Sequence, residues 1–151
     1  MTRQTRLLRA LSLLAGLLVL GDAAAQAAPA FVKPEESRMW MTVGERRFAI
    51  TMSDNPAAHA FAALLPLTLD MSDLNDNEKK ARLPKALPAN ASRPGTIRNG
   101  DLMLYGTDTL VVFYLTFDSS YSYTRLGRLN DPAGLARALG RGDVRVVFSK
   151  D

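Results

Sequence analysis

The chain has 151 residues with 19 Lys and Arg, 15 Asp and Glu, one His and no Cys. The missing cysteines exclude disulfides, thiolate nucleophiles and Cys-ligated metals, so an ordinary hydrophobic core must hold the fold. Without Arg3, Arg6, Arg9 and Asp22 in the first 27 residues, the charged residues fall to 16 basic and 14 acidic, a net +2. That balance gives little pull on polyanions, so nucleic acid is not an expected partner.

Residues 1–27 are expected to be a signal peptide. Arg3, Arg6 and Arg9 form a positive start, Leu11 to Leu20 an apolar segment, and Ala25-Gln26-Ala27 a small-x-small cleavage site. The apolar segment is short for a membrane-spanning helix, which needs about 20 residues. Export with cleavage after Ala27 is therefore expected, with the periplasm as destination and no membrane contact afterwards. Residues 28–37, with Pro29 and Pro34, are expected to be a flexible lead-in, and residues 38–151 one domain.

Met39 to Val43 and Arg47 to Met52 are predicted strands joined around Gly44-Glu45-Arg46. Phe48, Ile50 and Met52 alternate with Arg47, Ala49 and Thr51, so one face is buried. Asp54-Asn55-Pro56 starts a helix, with a side-chain acceptor at the cap and Pro at the first helical position. Ala57, Phe61, Leu64 and Leu65 place an apolar stripe on that helix, and His59 lies on its outer side.

Leu67 to Met71 alternates as a strand. Ser72 to Lys80 reads as a polar segment whose Asp73, Asp76 and Glu78 are solvated loop charges; acid–base work by a carboxylate pair is the sharper alternative. Asp73, Asn75 and Asn77 resemble the opening of a calcium loop, but Glu78 and Pro84 stand where Gly and Glu are required. Leu83 to Pro94 is predicted irregular. Asp101 to Tyr105 and Thr109 to Leu115 form a second hairpin around Gly106-Thr107-Asp108, and Leu110 to Leu115 is apolar on both faces, as in a strand covered on each side.

Asp118-Ser119-Ser120 turns into a predicted strand over Tyr121 to Leu129. Tyr121, Tyr123, Arg125 and Gly127 share one face, and Ser122, Thr124, Leu126 and Arg128 the other. Asn130-Asp131-Pro132 repeats the capping arrangement for a helix to Leu139, and Val144 to Phe148 is the last strand. Many short strands and two short helices predict a mostly-β barrel, since closure removes exposed sheet edges.

Three stretches carry a family resemblance: Asp54-Asn55-Pro56 with Ala60-Phe61 and Leu64 to Leu67, then Gly100 to Gly106, then Ser120 to Arg128. Together they resemble the bacterial cyclophilin-like fold proteins over about Met39 to Phe148. The resemblance implies a closed cyclophilin-like β-barrel of about eight strands with two short helices over its ends and a pocket bordered by strand faces. It does not imply prolyl isomerisation, because the Phe-His-Arg stretch of true cyclophilins is missing.

No complete catalytic set can be assembled. His59 is the only imidazole, no Gly-x-Ser-x-Gly elbow is present, and one His without Cys cannot supply a zinc site, so neither metal nor cofactor is expected. The credible site is a ligand-binding face: Tyr121, Tyr123 and Arg125 offer stacking surface, hydroxyls and a planar cation. Arg128, Met103, Tyr105 and Phe113 complete the candidates. The competing explanation makes the tyrosines barrel packing, with Arg125 or Arg128 paired to Asp101 or Asp118. The expected partner is a small molecule or extended peptide; the alternatives are a peptidyl-prolyl isomerase using Arg125 or Arg128, and a partner-binding protein without a deep pocket.

Overall fold

The structure is a computed structural model that describes residues 38–151. The expected signal peptide and lead-in lie outside the described residues. Ten strands and two helices alternate as β1 (Met39–Val43), β2 (Arg46–Met52), α1 (Pro56–Ala62), β3 (Leu67–Leu74), β4 (Glu78–Arg82), β5 (Gly95–Ile97), β6 (Asp101–Tyr105), β7 (Thr109–Phe113), β8 (Phe117–Ser119), β9 (Thr124–Leu129), α2 (Leu135–Leu139) and β10 (Val144–Lys150). Eight of the strands close an antiparallel barrel in the order β1-β10-β3-β4-β7-β6-β9-β2, and β5 pairs with β8 outside it. The expected closed barrel of about eight strands with two short helices is thus observed.

Period-two alternation fills the barrel. Met41, Phe48, Met71, Leu104, Leu110 and Phe148 are among the side chains that point inward and are buried. Each contributes about 1.5–3 kcal/mol by leaving water. Helix α1 connects β2 to β3 and covers one barrel end, where Phe61 meets Phe148 edge-on with ring centroids 5.6 Å apart. Asn55 caps it as predicted, accepting from the Ala58 N–H at 2.8 Å while its own Nδ2 donates to the Arg125 carbonyl at 2.8 Å. Leu83 and Leu87, from the irregular segment after β4, are buried in the same core. Leu135 and Leu139 of α2, which connects β9 to β10, bring its apolar side to that core.

The second helix is shorter than the sequence suggests. Pro132 opens a turn in which Asp131 Oδ1 accepts from the Ala133 N–H at 3.0 Å, and Gly134 is left-handed at φ 77°, so α2 begins only at Leu135. The polar segment Ser72 to Lys80 is likewise no solvated loop. It is a hairpin: β3 runs on to Leu74, Asn75 and Asp76 turn with φ of 56° and 54°, and β4 starts at Glu78. Asn and Asp tolerate that left-handed backbone, which makes them natural turn residues here.

The predicted strand Tyr121 to Leu129 starts only at Thr124, and Tyr123 makes an isolated bridge to Ser92. The register between β6 and β9 shifts after Leu102, which faces Gly127, whereas Met103 faces Arg125. Leu126 is the extra residue of a bulge, and a bulge reverses the alternation beyond it. Arg128, expected on the face opposite Arg125, therefore lies opposite Asp101, the residue with which Arg125 pairs. Gly127 has no substitute here, because a Cβ would stand 2.5 Å from the Thr51 carbonyl oxygen of β2.

Strand β7 is covered on both faces, as its apolar run predicts. Leu110 and Val112 face the barrel, while Val111 and Phe113 pack outward with Ile97, Met103 and Tyr123 in a second cluster. The β5–β8 ribbon belongs to this outer layer, Phe117 lying against the cluster.

Candidate functional site

A cleft of about 470 Å³ lies on this outer layer. That volume falls in the range of sites for small ligands. Strand β4 contributes Glu78 and Lys80, β6 and β7 contribute Tyr105, Thr109 and Val111, and Tyr123 adds a wall from just before β9. The β3–β4 turn supplies Leu74, Asn75 and Asn77, and residues 117–121 pass along the side of the ribbon. The placement follows from register: Lys80 faces Val111 and Glu78 faces Phe113, so outward residues of β4 border outward residues of β7.

Glu78 is only 7 % exposed. Among the described residues it has no ion pair within 4 Å. Burial raises its pKa, Lys80 pulls it back down, and Asp73 adds to the rise. Tyr123 is also raised, first by burial and then by the charge of Glu78, with the Ser119 hydroxyl acting the other way. Asn77 Oδ1, beside Glu78, is a buried acceptor with no donor. Of the four exposed large apolar residues among the described residues, three, Leu74, Tyr105 and Tyr121, lie on this one cleft, and Tyr121 is 64 % exposed.

The residues singled out from sequence divide into three groups. Tyr105, Tyr121 and Tyr123 line the cleft, with the rings of Tyr105 and Tyr123 5.8 Å apart. Met103 and Phe113 are fully buried beneath it, and Phe113 holds Tyr123 edge-on at 5.5 Å. Arg125 and Arg128 are not among the lining residues. Arg125 Nη1 stands 3.3 Å from Asp101 Oδ1, the ion pair that the competing explanation foresaw. Glu78 entered the sequence reading as a loop carboxylate and as a mismatch to a calcium loop, and Lys80 only as the end of the polar segment, neither as a lining residue. No local signal marked them, because Glu78, Lys79 and Lys80 are all charged and show no apolar–polar alternation.

The carboxylates do not form a pair. Asp73 belongs to a separate cluster, in which the fully buried Lys79 donates to Asp73 Oδ1 at 2.9 Å and to the carbonyls of Gly140 and Gly142 at 2.8 and 2.7 Å. Tyr114 donates to the same carboxylate at 2.6 Å. The Tyr114 hydroxyl and Lys79 hold the Asp73 carboxyl below its ordinary value, and burial with the Asp73 hydrogen bond pushes Tyr114 up. These partners join the β3–β4 hairpin to the segment after α2.

Among known families, residues 41–149 match the cyclophilin-like family. No curated protein and no solved structure gives a match. The match spans most of the chain and agrees with the closed eight-stranded barrel, so the chain belongs to the cyclophilin-like family.

Proposed function

We propose that this protein is an exported binding domain that takes a small molecule or an extended peptide in the cleft between β4, β7 and residues 117–123. One observation carries the reading: Leu74, Tyr105 and Tyr121 keep large apolar surface in water at a single concave place. Such a patch costs solubility unless something covers it. A partner-binding face without a pocket explains the patch less well, since the surface there is concave. The isomerase alternative asks for a free cation beside aromatic rings, and Arg125 is engaged with Asp101 away from the cleft.

A thermal-shift screen of metabolites and short peptides tests the reading, because a ligand of the folded state raises its stability by mass action. Stabilisation by at least one class, reduced in Tyr121→Ala, is expected. A screen without any stabilising class, or stabilisation indifferent to both Tyr121→Ala and Tyr105→Ala, removes the cleft as the site. Export rests on the residue pattern of positions 1–27; N-terminal sequencing of periplasmic protein should start at Ala28, and retention of Met1 to Ala27 would contradict it.

A further inference from the structure

The cleft's chemistry narrows its ligand, and the inference rests on the binding reading above. Glu78 brings a buried carboxylate to the cleft with no ion pair among the described residues. Next to it Asn77 Oδ1 is a buried acceptor without a donor. Three tyrosines, Tyr105, Tyr121 and Tyr123, line the same space. Ring faces attract cations, and a buried carboxylate is best satisfied by a charged donor. Asp118 adds a second negative charge to the lining. Among the described residues Lys80 is the only basic one in the lining; it sits two positions along β4, about 7 Å from Glu78 at the strand rise, and makes no ion pair with it within 4 Å.

We propose that the cleft receives an organic cation, an ammonium or guanidinium group, which seats on the Glu78 carboxylate and the Asn77 amide oxygen between the tyrosine rings. The cation belongs either to a free small molecule or to a Lys or Arg side chain of an extended peptide. Both sources share the chemistry, N–H donors on a positive centre with an apolar stem to lie along Leu74 and Tyr121. Burial shifts Glu78 toward its protonated form, and an arriving cation would favour the ionised one.

The test is an amide chemical-shift titration of protein purified from cells expressing the full chain, with four probes: butylguanidinium, its neutral counterpart butylurea, pentanoate, and a capped Gly-Arg-Gly peptide. Butylguanidinium should move the resonances of Lys80, Thr109 and Tyr121 saturably, with a Kd at least tenfold below that of butylurea and with pentanoate weaker still. Glu78→Gln should erase the tenfold gap, and Lys80→Met, which removes the competing positive charge, should widen it. The peptide binding tighter than butylguanidinium assigns the cation to a peptide side chain; the reverse order assigns it to a free molecule. Butylurea or pentanoate binding as tightly through the same residues overturns the cation and leaves the cleft as a binding site. No cleft response to any of the four probes also overturns the cation, and the broader thermal-shift screen then decides the binding reading separately.

Discussion

Glu78 and Lys79 are adjacent on β4, both buried and oppositely charged, and the strand's alternation sends them to opposite faces. Lys79 points to the barrel interior at its end, where a carboxylate and two backbone carbonyls take all three of its N–H donors. Glu78 points outward to a cleft where among the described residues no cation stands within 4 Å. Burial costs both charges their hydration, but only Lys79 recovers it within the fold. The fully partnered charge is part of what holds the barrel closed. The charge left without a partner is the one that the proposed cation would meet.

The largest effect should come from the inward side. Lys79→Met takes the cation from Asp73 and leaves the Gly140 and Gly142 carbonyls without their Lys79 donor, and removing one partner of a buried pair costs roughly 3–5 kcal/mol. Because Asp73 keeps some solvent contact, about 3 kcal/mol is expected in urea unfolding. A loss under about 1 kcal/mol would show that the cluster is dispensable and would break the contrast at its stronger end. Next, Tyr114→Phe deletes the 2.6 Å hydrogen bond to Asp73. A hydrogen bond to a charged group is worth about 1.5–3 kcal/mol, and the double variant with Lys79→Met should lose less than the sum of the two, since both act on one carboxylate.

The two carboxyls should respond to pH with opposite signs. The Asp73 pKa is lowered in the folded protein, so its stabilisation is present above the unfolded value of about 3.9 and is lost as pH falls through the lower folded value. The Glu78 pKa is raised, so folding favours its protonated form, and stability is lost as pH rises from the unfolded value of about 4.3 through the higher folded one. Glu78→Gln should therefore raise Tm at pH 7, by roughly 2–5 °C for a gain below 1 kcal/mol, and change little at pH 3. A lower Tm at pH 7 would mean that Glu78 has a stabilising partner in the fold. The smallest effect on stability is expected for Tyr121→Ala, within about 0.5 kcal/mol because the side chain is 64 % exposed, together with a clear loss of ligand response.

The barrel was legible in the sequence because its interior is written in period two. Phe48 and Ile50, Leu69 and Met71, and Val146 and Phe148 all fall inward as their alternation predicts. Helix α1 was legible through Asn55-Pro56, and the double covering of β7 through its unbroken apolar run. The β3–β4 hairpin was not, because its strands carry charge where apolar residues usually mark a strand, and Lys79 fills an interior position by pairing instead of by hydrophobicity. The site was legible in part. Tyr105, Tyr121 and Tyr123 do gather at one cleft, and the Arg125–Asp101 pair was among the foreseen alternatives, but the bulge at Leu126 depends on register between β6 and β9, which no local pattern encodes. Glu78 joined the cleft only once the hairpin placed it opposite Phe113.

The contrast between the two charges comes down to whether Glu78 waits for a cation. Its side-chain carboxyl can be followed by carbon-13 NMR through a pH titration, with and without saturating butylguanidinium. In the free protein the carboxyl should titrate above the usual glutamate range, as its burial requires, and the cation should pull that titration back down. A Glu78 that titrates as an ordinary glutamate, or one whose raised titration the cation leaves unmoved, would contradict the account.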